Sequence, residues 1–216
     1  MITKYGYDVF FTVTVICALA IVLSLYFVEP KILRYSVVAV AAILLGLTVN
    51  FFRDPERTTP AGEDLVIAPA DGKIIALRQA EEKEFLESGS TMISIFMSPL
   101  NVHVNRNPIS GTVKHLRYVE GEYFAAFEDK ASERNEQMII GIEHPKGKVL
   151  FKQIAGFIAR RIVCTLKPGE TVRVGERFGM IKFGSRVDVF VPAKAAVRAK
   201  VGDFTVAGET VLAELQ

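Results

Sequence analysis

The stretch "VRVGERFGMIKFGSRVDVFVP", Val172 to Pro192, decides the fold. Along Val187-Asp188-Val189-Phe190-Val191 apolar and polar residues alternate, the period of a strand with one buried face. Gly175, Gly179 and Gly184 cut the preceding part into short pieces, and Pro168-Gly169 does the same just upstream. Beyond it, Val197 to Val201 and Thr210 to Leu215 have strand character again. Turn signals every eight to twelve residues or so predict a compact β sandwich or small barrel.

Working outward, Leu65 to Ala68 reads as a short strand, broken at Pro69-Ala70-Asp71-Gly72 and resumed by Lys73 to Leu77. Thr91 to Met97, Gly111 to Val119, Met138 to Ile142 and Val149 to Ala155 are further strands. Pro145-Lys146-Gly147 forms the turn between the last two. Glu120 to Glu136 differs: it is polar, carries Tyr123, Phe124 and Phe127, and reads as a long irregular segment or short helix over a site. The phrases "VRVGERFGMIKFG" and "AKVGDFTVAGETVLAEL" resemble the hammerhead of lipoyl and biotinyl carrier domains. The lysine-bearing hairpin of such carriers is missing, so that likeness is one of architecture.

The amino-terminal part is of another kind. Val9 to Val28 and Tyr35 to Phe52 carry no charge, and roughly 20 apolar helical residues cross a bilayer. A signal peptide is shorter and ends in a small-residue cleavage site; here a second apolar run follows at once. The connector, Glu29 to Arg34, is short enough to make an antiparallel hairpin. The expected organisation is a membrane-anchoring helical hairpin (1–52), a linker rich in Pro and polar residues (53–63) and a mainly β domain with short helices (64–216). Lys4, Arg53 and Arg57 flank the outer ends of the hairpin against Lys31 and Arg34 in its turn. Positive residues favour the cytoplasm, which places the β domain on the cytoplasmic side of the cell membrane. The net charge of +2 gives no field for a nucleic-acid partner. Of the two cysteines, Cys17 lies within an apolar run and Cys164 far from it, so neither a disulfide nor a metal site is expected.

Three groups carry chemistry. Gly184-Ser185 is by itself most simply a turn, yet such a bond suits self-cleavage. Glycine accepts strained backbone angles, and the serine hydroxyl can attack the preceding carbonyl to form an ester. Elimination across the ester leaves dehydroalanine, which hydrolyses to a pyruvoyl group. His103 lies in "MSPLNVHVNRNP", between two prolines that stiffen the backbone, and histidine is the usual proton carrier near neutral pH. Asp71 sits in "APADG", ordinarily a hairpin turn. Asp71, His103 and Ser185 together have the composition of an acid, base and nucleophile set.

In order along the chain, "APADGKI", "MSPLNVHVNRNP", "GEYFAAFEDKASERNEQ", "QIAGFIARRIVC", "GERFGMIKFGSRVDVFVP" and "VGDFTVAGETVLAEL" resemble phosphatidylserine decarboxylase proenzymes, in the short branch shared by bacteria and archaea. The likeness covers nearly all of residues 60–216. It implies a cut after Gly184 into a membrane-bound β chain (1–184) and an α chain (185–216) that begins with a pyruvoyl group made from Ser185. No metal and no external cofactor are then needed. The resemblance implies a Schiff base between that group and the amine of phosphatidylserine, which loses CO2 and is released as phosphatidylethanolamine. It assigns Asp71 and His103 to the family's aspartate and to the first histidine of its proline-bounded motif. Longer members have a second histidine three places on, where this chain has Arg106. Either His103 serves both cleavage and later proton transfer, or Asp71 and His103 are not a pair. Longer members also read Leu-Gly-Ser-Thr at the cut, against Phe183-Gly184-Ser185-Arg186 here.

Arg106, Arg160 and Arg161 are candidates for holding the phosphate by paired hydrogen bonds, and Phe124 and Phe127 for lining the acyl entry. Partners are then phosphatidylserine in the membrane and the two chains of the enzyme's own cleavage, with a homodimer as the working expectation. Two other readings stay open. One is a pyruvoyl decarboxylase for a soluble amino acid or for an archaeal ether-lipid serine. The other is a membrane-tethered, non-catalytic carrier or binding module of lipoyl-like fold, which predicts an uncut chain.

Overall fold

The computed structural model describes residues 1–122, 124, 134–156, 161–182 and 185–216, and divides them into two compact units, Met1–Pro55 and Glu56–Gln216. In the first, a 3-10 turn at Lys4–Gly6 leads into α1 (Tyr7–Phe27), followed by α2 (Lys31–Phe51). Pro30 caps α2, where its missing N–H costs nothing. The turn is closed by side chains: Ser24 Oγ donates to the Arg34 carbonyl at 3.1 Å, and Arg34 Nε donates to the Val28 carbonyl at 2.7 Å. The open end is fastened by backbone bonds, Thr3 N–H to the Phe52 carbonyl and Asp54 N–H to the Met1 carbonyl. Both helices are long and apolar enough to cross a membrane, and most of their apolar side chains, Phe11, Leu19, Ile43 and Leu47 among them, face outward. A helix that is apolar all round needs protein or lipid around it; this pair fits membrane anchoring.

The regular elements of the second unit, among its described residues, are strands: β1 (Leu65–Ile67), β2 (Gly72–Glu82), β3 (Ser88–Met97), β4 (Val104–Arg106), β5 (Gly111–Val119), β6 (Gln137–His144), β7 (Gly147–Ala155), β8 (Arg161–Cys164), β9 (Thr171–Val172), β10 (Arg177–Lys182), β11 (Ser185–Pro192), β12 (Ala196–Val197), β13 (Phe204–Thr205) and β14 (Val211–Glu214). Eight of them, in the order β13-β2-β3-β11-β7-β6-β5-β9, form an antiparallel sheet curled into a half-barrel. Two three-stranded sheets, β4-β10-β8 and β1-β14-β12, complete the unit. The mainly β architecture expected from the alternation is therefore found. The core lies on the concave face, where Ile93, Ile95, Phe151, Val187 and Val189 meet Phe178 of β10. Phe151 and Phe178 stand edge to face with ring centroids 5.3 Å apart, linking the large sheet to β4-β10-β8.

Three details depart from the sequence reading. β1 and β2 are not one interrupted strand: β1 pairs with β14 and β2 with β3, so the chain changes sheet at Pro69 to Asp71. β2 and β3 run further than their apolar parts, because Ala80 to Glu82 pair with Ser90 to Ser88 in a polar hairpin tip. The strand expected over Val197 to Val201 stops at Val197. There the Lys200 N–H bonds to Asp203 Oδ2 and the Gly202 N–H to the Ile74 carbonyl, which turns the chain. Of the segment Glu120 to Glu136 read as a long loop or short helix, residues 123 and 125–133 lie outside the described residues.

On the convex face Phe85, Leu86, Ile139, Leu150 and Phe190 form a smaller cluster. Glu82 holds its lid. Its carboxylate accepts the N–H groups of Glu84 (2.9 Å), Phe85 (2.8 Å) and Leu86 (2.7 Å). Burial pushes this carboxyl up, but those three bonds and the Lys152 charge outweigh it and hold the pKa below the usual value. A depressed carboxyl stabilises the fold fully above its unfolded-state pKa and loses that effect as pH falls through the folded-state value. Glu82→Gln should therefore destabilise the protein by about 1–2 kcal/mol at neutral pH. In thermal unfolding of detergent-solubilised protein the gap from wild type should close on acidification below the carboxylate range.

Candidate active site

Ser185 opens β11, and its register partners are Met97, the last residue of β3, and Ala155, the last residue of β7. Three strand ends meet there. Ser185 is fully buried and its hydroxyl donates to the Met97 sulfur at 3.3 Å. A thioether is a weak acceptor, so the hydroxyl is enclosed without being firmly held. Its neighbour Arg186 points to the opposite face. There Nε lies 2.6 Å from Asp188 Oδ1 and Nη2 donates to Ser94 Oγ at 2.8 Å, all three residues being buried. This clamp pins the head of β11 to β3.

β10 approaches the same point with β4 along its edge. Met180 pairs with Val104, and the Ile181 N–H donates to the His103 carbonyl at 3.4 Å. His103 is fully buried, with Nδ1 3.0 Å from the Asn101 carbonyl. A carbonyl only accepts, so Nδ1 carries the proton, and in the neutral ring Nε2 holds the basic lone pair. Asp71 lies on the segment beside β4, where the Arg106 N–H donates to the Pro69 carbonyl at 3.0 Å. Its carboxylate accepts from Arg57 Nη2 at 3.0 and 3.3 Å and from the Ala207 N–H at 2.8 Å.

Asp71, His103 and Ser185 thus share one end of the unit, but among the described residues no hydrogen bond joins Asp71 to His103 or His103 to Ser185 in this single-chain form. The imidazole is oriented by a backbone carbonyl and the carboxylate by Arg57.

The other candidates are dispersed. Arg106 is buried, its Nη1 donating to the Gly175 carbonyl at 2.9 Å. It runs past Gly208, where a Cβ would come within 2.7 Å of its Cδ. Arg161 is exposed at the head of β8, in register with Lys182 near the end of β10. The ring of Phe124 faces the Arg134 guanidinium at 5.1 Å, and its backbone is clasped by Asn135, which also donates to the Ala155 carbonyl at 2.7 Å. Gly184, Arg160 and Phe127 lie outside the described residues. Burial pushes the Cys164 thiol up.

Sequence reasoning missed Arg57, Asn105, Asn135 and Gln153. Asn105 stands two residues after His103, and its Nδ2 is 3.9 Å from the Met97 sulfur that takes the Ser185 hydroxyl. Gln153 interrupts the apolar strand β7, a polar residue where the pattern calls for an apolar one; that interruption was the one available signal. Nothing local marks Arg57, whose partner comes 14 residues later.

A pyruvoyl group made from Ser185 fits this setting: the side chain is enclosed, its strand is paired on both edges, and its neighbour is anchored. Among the described residues no group of three or more His, Cys, Asp or Glu side chains is placed to hold a metal ion.

Comparison with known proteins bears on the same residues. The family model described as phosphatidylserine decarboxylase matches residues 44–213. The phosphatidylserine decarboxylase proenzyme of Chlorobium phaeobacteroides is 48% identical over 212 residues, 98% of this chain and 99% of that protein. The proenzyme of Chlorobium luteolum is 47% identical over 213 residues, 99% of each chain. That of Chlorobaculum tepidum is 44% identical over 213 residues, 99% of this chain and 97% of the other. A profile that spans nearly all of the β unit, and relatives matched from end to end, make this chain a member of the phosphatidylserine decarboxylase family.

Proposed function

We propose that this chain is a self-processing, pyruvoyl-dependent phosphatidylserine decarboxylase, held at the cell membrane by its amino-terminal hairpin and cut between Gly184 and Ser185. The observation that carries the reading is the position of Ser185: first residue of a central strand, buried, with its hydroxyl on a weak acceptor, while the buried His103 stands just ahead of β4, the strand paired with β10.

The cleavage chemistry follows from that position. The Ser185 hydroxyl attacks the Gly184 carbonyl carbon and gives its proton to a base. Collapse breaks the C–N bond and leaves Gly184 as an ester on Ser185. Loss of the Ser185 α-proton expels the Gly184 carboxylate and leaves dehydroalanine at the new terminus; water then converts it to the ketone and releases ammonia. His103 is the base we assign, with Nδ1–H directed at the Asn101 carbonyl. Release from the Met97 sulfur costs the hydroxyl little, which leaves it available to a base. Arg57 and the Ala207 N–H fix the Asp71 carboxylate in place by hydrogen bonds. Bound at position 185, a pyruvoyl ketone supplies the electron sink for decarboxylation.

A diacyl lipid stays in the bilayer, so an enzyme acting on its head group has to work at the interface. The two apolar helices supply the anchor. We place the catalytic unit on the cytoplasmic side, a reading supported by Lys4, Arg53 and Arg57 at the outer ends of the hairpin.

An intact-mass spectrum of wild type beside Ser185→Ala tests the proposal. Wild type should give two chains, 1–184 and 185–216, the smaller one blocked at its terminus by the ketone; the variant should stay whole. A whole wild-type chain with an unmodified Ser185 would sink the reading. His103→Ala should slow the cut by about 100-fold or more, the usual size of a lost general base, as followed by gel densitometry. Arg57→Ala and Asp71→Ala should each destabilise the protein, and a double-mutant cycle on thermal unfolding should return a coupling of about 1–3 kcal/mol.

A further inference from the structure

Beside Ser185 lies a chain of buried amides that the cleavage chemistry does not use. Asn105 and Gln153 are both fully buried. Asn105 Nδ2 donates to the Pro69 carbonyl at 3.3 Å, which turns its Oδ1 toward Gln153; that oxygen accepts from Gln153 Nε2 at 2.9 Å. Gln153 Nε2 also points at the Val163 carbonyl, 3.4 Å away. Amide oxygen and nitrogen are otherwise hard to tell apart, but two backbone carbonyls, which only accept, fix both groups here. The remainder is one atom, Gln153 Oε1, a fully buried acceptor with no hydrogen-bond partner among the described residues.

The register says where that acceptor sits. Gln153 pairs with Val187 as Ala155 pairs with Ser185, so Gln153 is the diagonal neighbour of Ser185 on the same concave face. Diagonal neighbours on adjacent strands are within reach of a long side chain. On the other side Asn105 adjoins the Met97 sulfur that takes the Ser185 hydroxyl. A lone acceptor repels phosphate and carboxylate oxygens and welcomes a donor-only group. Of the parts of a phosphoserine head group, only the amine is one.

Resting on the function proposed above, we infer that Gln153 Oε1 receives the amino group of the substrate, which makes Gln153 the residue that selects a primary amine and aims it at position 185. Asn105 is its positioning residue, holding the amide so that oxygen rather than nitrogen faces the site. The contact between them is Gln153 Nε2 on Asn105 Oδ1, with Asn105 Nδ2 held in turn by the Pro69 carbonyl.

The test uses the full chain in detergent micelles with two variants. Gln153→Met fills the same space without an acceptor, and Gln153→Glu keeps one. Maturation is read first, as the masses of the 1–184 and 185–216 chains. Borohydride trapping of phosphatidylserine onto the 185–216 chain is then read by mass against substrate concentration. Gln153→Met is expected to mature, and its half-saturating concentration for trapping to rise about tenfold, the loss of one hydrogen bond to a charged donor. Gln153→Glu is expected to trap at or below the wild-type concentration. Trapping by Gln153→Met at the wild-type concentration would overturn the inference and leave the acceptor merely hydrated. Should Gln153→Met fail to mature, Gln153→Glu decides: a tenfold rise there overturns the inference as well. A wild-type chain that is neither cut nor trapped would instead overturn the proposed function, an outcome separate from either variant's behaviour.

Discussion

Everything at this site depends on β11 being hydrogen-bonded along both edges from its first residue. Ser185 is paired with Met97 on one side and Ala155 on the other, and the chain enters from β10, a strand of a different sheet. Between Lys182 and Ser185 the polypeptide passes from one sheet to the next. Lys182 and Ser185 are each held by their own strand neighbours. Ser185 is buried, and enclosure in a medium of low dielectric strengthens whatever polar contact it makes.

The buried Arg186, Asp188 and Ser94 group is the second part of that constraint. Ion pairs taken out of water are costly and commonly no better for stability than apolar packing. Their value here is positional. One residue past Ser185, a guanidinium fixed by a carboxylate on its own strand and a hydroxyl on the neighbouring one opposes sliding of β11 in register. A slip by one residue would turn Ser185 to the opposite face.

The sequence shows these arrangements unevenly. The two long apolar helices were legible because absence of charge over two long runs is a local property. The β class was legible because alternation along Val187 to Val191 and frequent turns are local too. Ser185 and His103 stood out through residue type and neighbouring proline and glycine. What could not be seen is what depends on distant pairing. Asp71 is oriented by Arg57 rather than joined to His103, and Asn105 meets Gln153 across 48 positions. Arg106, a candidate for phosphate by residue type, turns out to reach the Gly175 carbonyl. The false strand at Arg198 to Val201 arose because apolar alternation says nothing of the Asp203 side chain that turns the chain back.

The distribution of the last strands has a consequence of its own. Residues after position 184 supply β11 and β13 to the eight-stranded sheet and β12 and β14 to the sheet completed by β1. A chain severed before Ser185 would therefore leave its carboxy-terminal piece woven through two sheets whose other strands belong to the larger piece. The two fragments could part only if both sheets came undone together. Cutting the backbone would thus free one chain end for chemistry while the protein goes on unfolding as a single cooperative body.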